Sequence, residues 1–154
     1  MKIVRLVTTA LVRFFLSLVF LTDAVSKLIY WHDAERTWSE MLADWQAYTW
    51  FWERGSTLFA WLAQWVPLWL ICLTVCELVG ALLLLLALKE KFGAFLLFFY
   101  LVLTTLLFHP FWCFEGGVRE VQGELFLKNL AVLGGLLLVM LHGISQEESH
   151  APFD

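Results

Sequence analysis

The chain reads as an all-α integral membrane protein: a four-helix bundle with an additional interfacial amphipathic helix between its first and second spans. Three features carry this reading. Hydrophobic residues make up 61% of the 154 and the mean hydropathy is +0.77, well above the roughly 45–50% apolar usage of soluble domains. Four apolar runs each supply the roughly 20 residues that a hydrocarbon core of about 30 Å demands at about 1.5 Å of helical rise per residue. Aromatic residues, 17% of the chain, suit two membrane–water interfaces, where Trp and Tyr seat an apolar ring beside a polar N–H or O–H.

The first span is expected over about residues 6–30. Arg13, Asp23 and Lys27 interrupt it and no small-x-small cleavage site follows before Tyr30 and Trp31, so it reads as a retained anchor and not as a cleaved signal peptide. The second, about residues 67–88, opens at Pro67, where a missing N–H does no harm in a first helical turn. The third, about 92–112, follows a short Lys89-Glu90-Lys91 turn, and the fourth covers about 125–142. Residues 1–145 therefore form one transmembrane domain and 146–154 a tail.

Between the first two spans, over about 33–65, Trp31, Trp38, Trp45 and Trp52 recur every seven residues, with Ala34, Met41 and Tyr48 three positions further on. That is one stripe of a helix, and Asp33, Glu40, Asp44 and Glu53 form its wet flank. Such a helix is expected to lie in the headgroup region. Gly55-Ser56 ends it, and a short second helix follows over about 58–65.

Charge sets an expected orientation. Lys2, Arg5 and Arg13 at the amino end and Lys89 and Lys91 in the second turn put both termini in the cytoplasm, in a cell inner membrane. The acidic connections around Asp33 to Glu53 and around Glu115 to Glu124 then fall outside. A net charge of −4 without a Lys/Arg cluster argues against nucleic acid as a partner. Three cysteines give no disulfide framework, and Cys72 and Cys76, four apart on one helix, are poorly placed to bridge each other.

Every span carries charged or strongly polar residues: Asp23 and Lys27, Glu77, His109, then Lys128 with Asn129. Ionisable side chains at hydrocarbon depth are costly, face the bundle interior and mark working sites. Counted from the acidic ends of the spans, all six fall in the outer half, as one ligand-binding or proton site. Asp23 and Lys27 are an i, i+4 pair in the favourable acid-first order. Two carboxylates and two ammonium groups would cancel there, leaving His109 and Asn129 as neutral members. Arg13 projects near the Asp23–Lys27 face, and Thr105 stands one turn below His109, as supporting polar groups. Polar residues can also serve only as glue between helices, and Lys27 and Lys128, near span ends, can snorkel to the headgroups. A metal site is disfavoured by a single deep histidine and two repelling lysines. No nucleophile elbow, phosphate loop, or flavin or haem motif occurs.

The run Phe126-Leu127-Lys128-Asn129-Leu130-Ala131-Val132-Leu133-Gly134-Gly135-Leu136-Leu137 resembles the closing signature of the DoxX family. Arg13 with Lys27-Leu28, Glu77-Leu78-Val79-Gly80, and His109-Pro110-Phe111-Trp112 agree, so the resemblance touches all four spans. Asp23-Ala24-Val25-Ser26 departs from it, adding a carboxylate where a glycine often precedes the first-helix lysine. The resemblance implies a four-helix membrane protein in a functionally mixed family: some relatives are subunits of thiosulfate:quinone oxidoreductase, some join oxidative-stress complexes, and distant ones are cargo receptors or assembly chaperones. Together with the polar cluster it points to a membrane subunit of a redox complex, holding a quinone or similar headgroup and taking electrons from a partner protein. The alternative is a non-enzymatic membrane adaptor, chaperone or cargo-binding protein that captures its client on the Trp-rich helix. A transporter is disfavoured, because four helices without inverted repeats leave no alternating pathway.

Overall fold

The computed structural model describes residues 2–49 and 51–148. Among these, six α-helices follow one another: α1 (Lys2–Ile29), α2 (Trp31–Tyr48), α3 (Glu53–Ala63), α4 (Val66–Leu85), α5 (Glu90–Phe108) and α6 (Gly116–Glu148), with a 3₁₀ turn at Phe111–Cys113. Four segments are long and apolar enough to cross a membrane: Val7–Ile29, Val66–Leu85, Glu90–Cys113 and Gly116–Leu141. Of the expected tail, residues 149–154 lie outside the described residues.

Successive spans alternate in direction. One end of the bundle therefore carries α2, α3 and the α5–α6 connection, and the other carries the start of α1 and the α4–α5 turn. α4 packs extensively on α1 and α5, and α5 on α6, whereas α1 meets α6 only sparingly. The ring of spans is consequently open along one seam.

Lipid tails are as apolar as leucine, so close packing rather than water exclusion joins these helices. At the α4–α5 crossing, a Cβ on Gly93 would sit 2.8 Å from the Gly80 carbonyl oxygen and 3.1 Å from the Leu84 nitrogen, and one on Gly80 would meet Leu97 at 2.9 Å. The two glycines let the backbones touch. Around them Ala81, Leu84, Ala94, Leu97 and Leu136 form a core with no solvent exposure.

The ends of the spans differ from the expected limits for local reasons. α4 stops at Leu85, short of residue 88, because the chain reverses over the next four residues, with Ala87 and Lys89 at positive φ (55° and 46°). Glu90 is not part of that turn: it opens α5, where an acid favours the helix amino terminus. α6 begins at Gly116, well before residue 125: Gly116 takes φ 59° to redirect the chain, and the helix then runs through the polar residues that follow, Gly117 and Gly123 included.

The amphipathic helix between the first two spans is α2, and its Trp stripe turns onto the bundle more than toward headgroups. Trp38 is 7% exposed and joins Met41, Leu42, Val66 and Leu70 in a second core. Its ring meets Phe108 edge-on at 4.9 Å. Trp45 stacks on Phe59 of α3 and donates its indole N–H to the Leu107 carbonyl at 2.8 Å. That carbonyl belongs to the last turn of α5, where no helical partner remains for it. Of the four stripe tryptophans Trp52 alone stays largely exposed, at 55%. α2 is thus a roof fastened to α4 and α5.

Candidate functional site

Beneath this roof Lys27 reaches from α1 to α4 and α5. Its ammonium donates to Asp23 Oδ2 at 2.6 Å, to Glu77 Oε2 at 2.8 Å, and to the Tyr100 hydroxyl oxygen. Tyr100 in turn donates to Asp23 Oδ2 at 3.2 Å. Glu77 has no exposed surface, and its second oxygen, Oε1, is buried without a hydrogen-bond partner. Thr74 Oγ1 and Thr105 Oγ1 are likewise buried and unpartnered. Asp23 is the wet member of the cluster, with its side chain 53% exposed against 13% for Lys27.

A cavity of about 460 Å³ opens beside these groups, bounded by α1, α2, α5 and the first half of α6. Asp23, Lys27, Tyr100, His109 and Asn129 supply its polar wall, and Phe20, Trp38, Leu101 and Phe108 much of the apolar remainder. Its size falls within the about 300–1,000 Å³ usual for ligand pockets, and so does its make-up of a mostly apolar wall with a few convergent polar groups. His109 sits where α5 has ended, and its Nδ1 lies 2.8 Å from Gln122 Oε1. With an amide oxygen there, Nδ1 is the donating nitrogen, and in the neutral imidazole Nε2 is the acceptor. A smaller cavity of about 210 Å³ shares Thr37 and Phe108 with the first and adds Glu40, Asp44 and Gln122. His109 therefore has the main cavity on one side and, through Gln122, a more polar one on the other.

Not every polar residue of the spans joins this site. Lys128 points away: its side chain is 68% exposed and lies 3.7 Å from Glu124, one turn back on the same helix. Asn129, its neighbour, does line the cavity. Arg13 belongs to the opposite end, paired with Glu90. Thr105 is buried at 2% exposure, away from the cavity wall. The expected cancellation of two acids by two lysines is thereby corrected. Asp23 and Glu77 share one ammonium, and neutrality within the span calls for one further proton or positive group.

Tyr100, Gln122 and the roof residue Trp38 are functional candidates that the charge pattern alone did not single out. The available signal for Tyr100 was its depth: a buried phenol needs a hydrogen-bond partner, and this tyrosine lies in the middle of an apolar helix. Glu90 was hidden by its place between two lysines. The three cysteines are free thiols, and none belongs to the cluster.

No curated protein and no solved structure matches this chain. A family model does, over residues 8–110, which takes in α1 to α5 and therefore Arg13, Asp23, Lys27, Glu77, Tyr100 and His109. The match stops before α6, so the Lys128-Asn129 and Gly134-Gly135 run lies outside it. Since the matched residues are more than half of the chain and its helices are those of a multi-pass membrane protein, the chain belongs to the DoxX family.

Proposed function

We propose that this protein is the membrane subunit of a redox system, and that the roofed cavity holds the headgroup of a quinone or a similar lipid-soluble carrier. One observation carries the proposal: hydrogen-bond donors and acceptors from three spans converge on a cavity whose remaining wall is apolar and aromatic. A quinone headgroup requires such a mixture, and its tail requires an opening to lipid, which the sparse contact between α1 and α6 offers. Bound there, a quinone supplies two-electron, two-proton chemistry, with electrons exchanged through a partner protein of the complex.

The chain's own residues have separable tasks. Lys27 already donates to three oxygens, so it fixes Asp23, Glu77 and Tyr100 more than it reaches outward. The Asn129 amide is the donor that can turn to a ligand oxygen, while the one Tyr100 O–H is engaged with Asp23. His109 Nε2, kept an acceptor by Gln122, and the half-exposed Asp23 carboxylate can receive protons. Trp38 and Phe108 exclude water from above. The distribution of basic residues supports an orientation with both termini in the cytoplasm and the cavity near the outer face of a cell's inner membrane.

The test is mass spectrometry of the organic extract of the purified protein. Near-stoichiometric quinone is expected. His109→Ala and Asn129→Leu are each expected to lower its retention about five- to ten-fold, the effect of one lost hydrogen bond of about 1–1.5 kcal/mol. Absence of quinone, or retention unmoved by both variants, ends this reading.

A non-enzymatic adaptor or chaperone is the second reading, and α3 favours it. Leu58 and Trp61 are 49% and 51% exposed, beside Trp65 at 47%. A client would dock there and not on the covered stripe of α2. Trp61→Ser with Leu58→Ser would then abolish partner capture and leave bound quinone untouched.

A further inference from the structure

The α1–α6 seam has a second opening, at the end away from the roof. A cavity of about 590 Å³ lies there, with Val12 of α1 and Gly135, Leu138 and Val139 of α6 forming its apolar wall and Arg13, Glu90 and Thr8 its polar one. Gly135 keeps the α6 surface low: a Cβ there would approach only the Leu16 side chain, at 3.5 Å. Val12 and Leu138 remain 39% and 67% exposed along the groove.

The polar wall is unusual for a span. Arg13 and Glu90 form an ion pair with side chains 19% and 17% exposed. The pair uses a terminal nitrogen of the guanidinium, while Nε is buried and meets no acceptor. The guanidinium, which lines the cavity, has a second terminal nitrogen whose donors the Glu90 pair does not use. Charge indicates which ligand. Lys89 and Lys91 flank Glu90 at the start of α5, so the polar end of the groove lies beside a basic stretch of the chain. An anion with a tail satisfies both walls at once.

We propose that this seam binds an anionic glycerophospholipid, with its phosphate on Arg13 and an acyl chain along Val12, Leu138 and Val139. The site is separate from the roofed cavity: it faces the other leaflet and needs no quinone. The terminal nitrogen of Arg13 that Glu90 leaves unused offers its N–H groups to a phosphate oxygen, and Glu90 holds the guanidinium in place.

The full-length protein, purified and exchanged into bilayer nanodiscs holding equal phosphatidylglycerol and phosphatidylcholine, is examined by native mass spectrometry for retained lipid. Wild type is expected to prefer phosphatidylglycerol about five- to ten-fold. The double variant Arg13→Gln/Glu90→Gln keeps a neutral hydrogen-bonded pair, and its preference is expected to fall below about two-fold while the roofed cavity keeps its ligand. Gly135→Leu fills the groove without touching the charge and is expected to lose retention of both lipids. Glycerol phosphate without tails is expected to leave the thermal midpoint unmoved. Equal retention by wild type would overturn the proposal, as would a preference that survives the double variant. A stabilisation by glycerol phosphate as large as that by the lipid would overturn it too, assigning the site to a soluble anion.

Discussion

The two halves of α1 each carry a basic residue paired to an acid on a neighbouring span, yet they do different work. Arg13 meets Glu90 alone, one cation to one anion, in a groove open to lipid. Lys27 meets Asp23, Glu77 and Tyr100, one cation to two acids and a phenol, beneath a roof of aromatic rings. The first arrangement is neutral as it stands, so it orients a side chain and fixes α1 against α5. The second is left one positive charge short, with Glu77 fully buried and Asp23 half-exposed to the cavity, which equips it to take up and release a proton or a ligand's hydrogen bond. Charge count, more than the presence of an ion pair, separates a pair that presents its cation to the lipid from one that can take up a proton.

The sharpest way to break the comparison is to remove each cation. Lys27→Met strands two carboxylates inside the span and is expected to lower stability by about 3–5 kcal/mol, read as thermal or denaturant unfolding in detergent. Arg13→Met strands only Glu90, close to the interface and at a helix amino terminus, and is expected to cost about 1–2 kcal/mol by the same measurement. Equal losses would erase the distinction.

Next in size is the backbone contact that brings Glu77 and Tyr100 within reach of Lys27. Gly93→Ala drives a Cβ into the Gly80 carbonyl and is expected to cost about 1–3 kcal/mol. Gly134→Ala, with nothing within 4 Å of the new Cβ, is expected to be neutral or stabilising by up to about 1 kcal/mol. Smaller again is Tyr100→Phe, which removes one acceptor for Lys27 and one donor to Asp23 and is expected to cost about 1–2 kcal/mol. Lys128→Gln is expected to change stability by less than about 0.5 kcal/mol, because its pair with Glu124 is exposed.

How much of this was legible in the chain depends on what each residue's partner is. Asp23 and Lys27 are partners within one helix, and i, i+4 spacing alone joins them. Glu77 announced itself by depth, since no carboxylate lies in the middle of an apolar span without company. Periodicity fixes how far into the membrane a residue lies better than it fixes which way the residue faces among its neighbours. Lys128 has the right depth and the wrong face; Arg13 has nearly the right face and lies ten residues, or about 15 Å, from Asp23 along the helix. Tyr100 and Gln122 were hidden because their importance comes from partners on other segments, 73 and 13 residues away in sequence. The heptad of tryptophans was plain, but an amphipathic stripe satisfies itself on headgroups or on a neighbouring helix equally well. The Phe108 edge and the Leu107 carbonyl decided for the bundle.

The most direct test of a quinone pocket under the α2 roof is photolabelling with an azidoquinone in native membranes, followed by peptide mass spectrometry. Label is expected on α1 between Val19 and Lys27, on α2 at Ala34 to Trp38, and on α5 from Tyr100 to His109, and is expected to fall on competition with unmodified quinone. Label confined to the lipid-facing residues of α4, such as Ile71, Val75 and Val79, and insensitive to competition, would contradict the account.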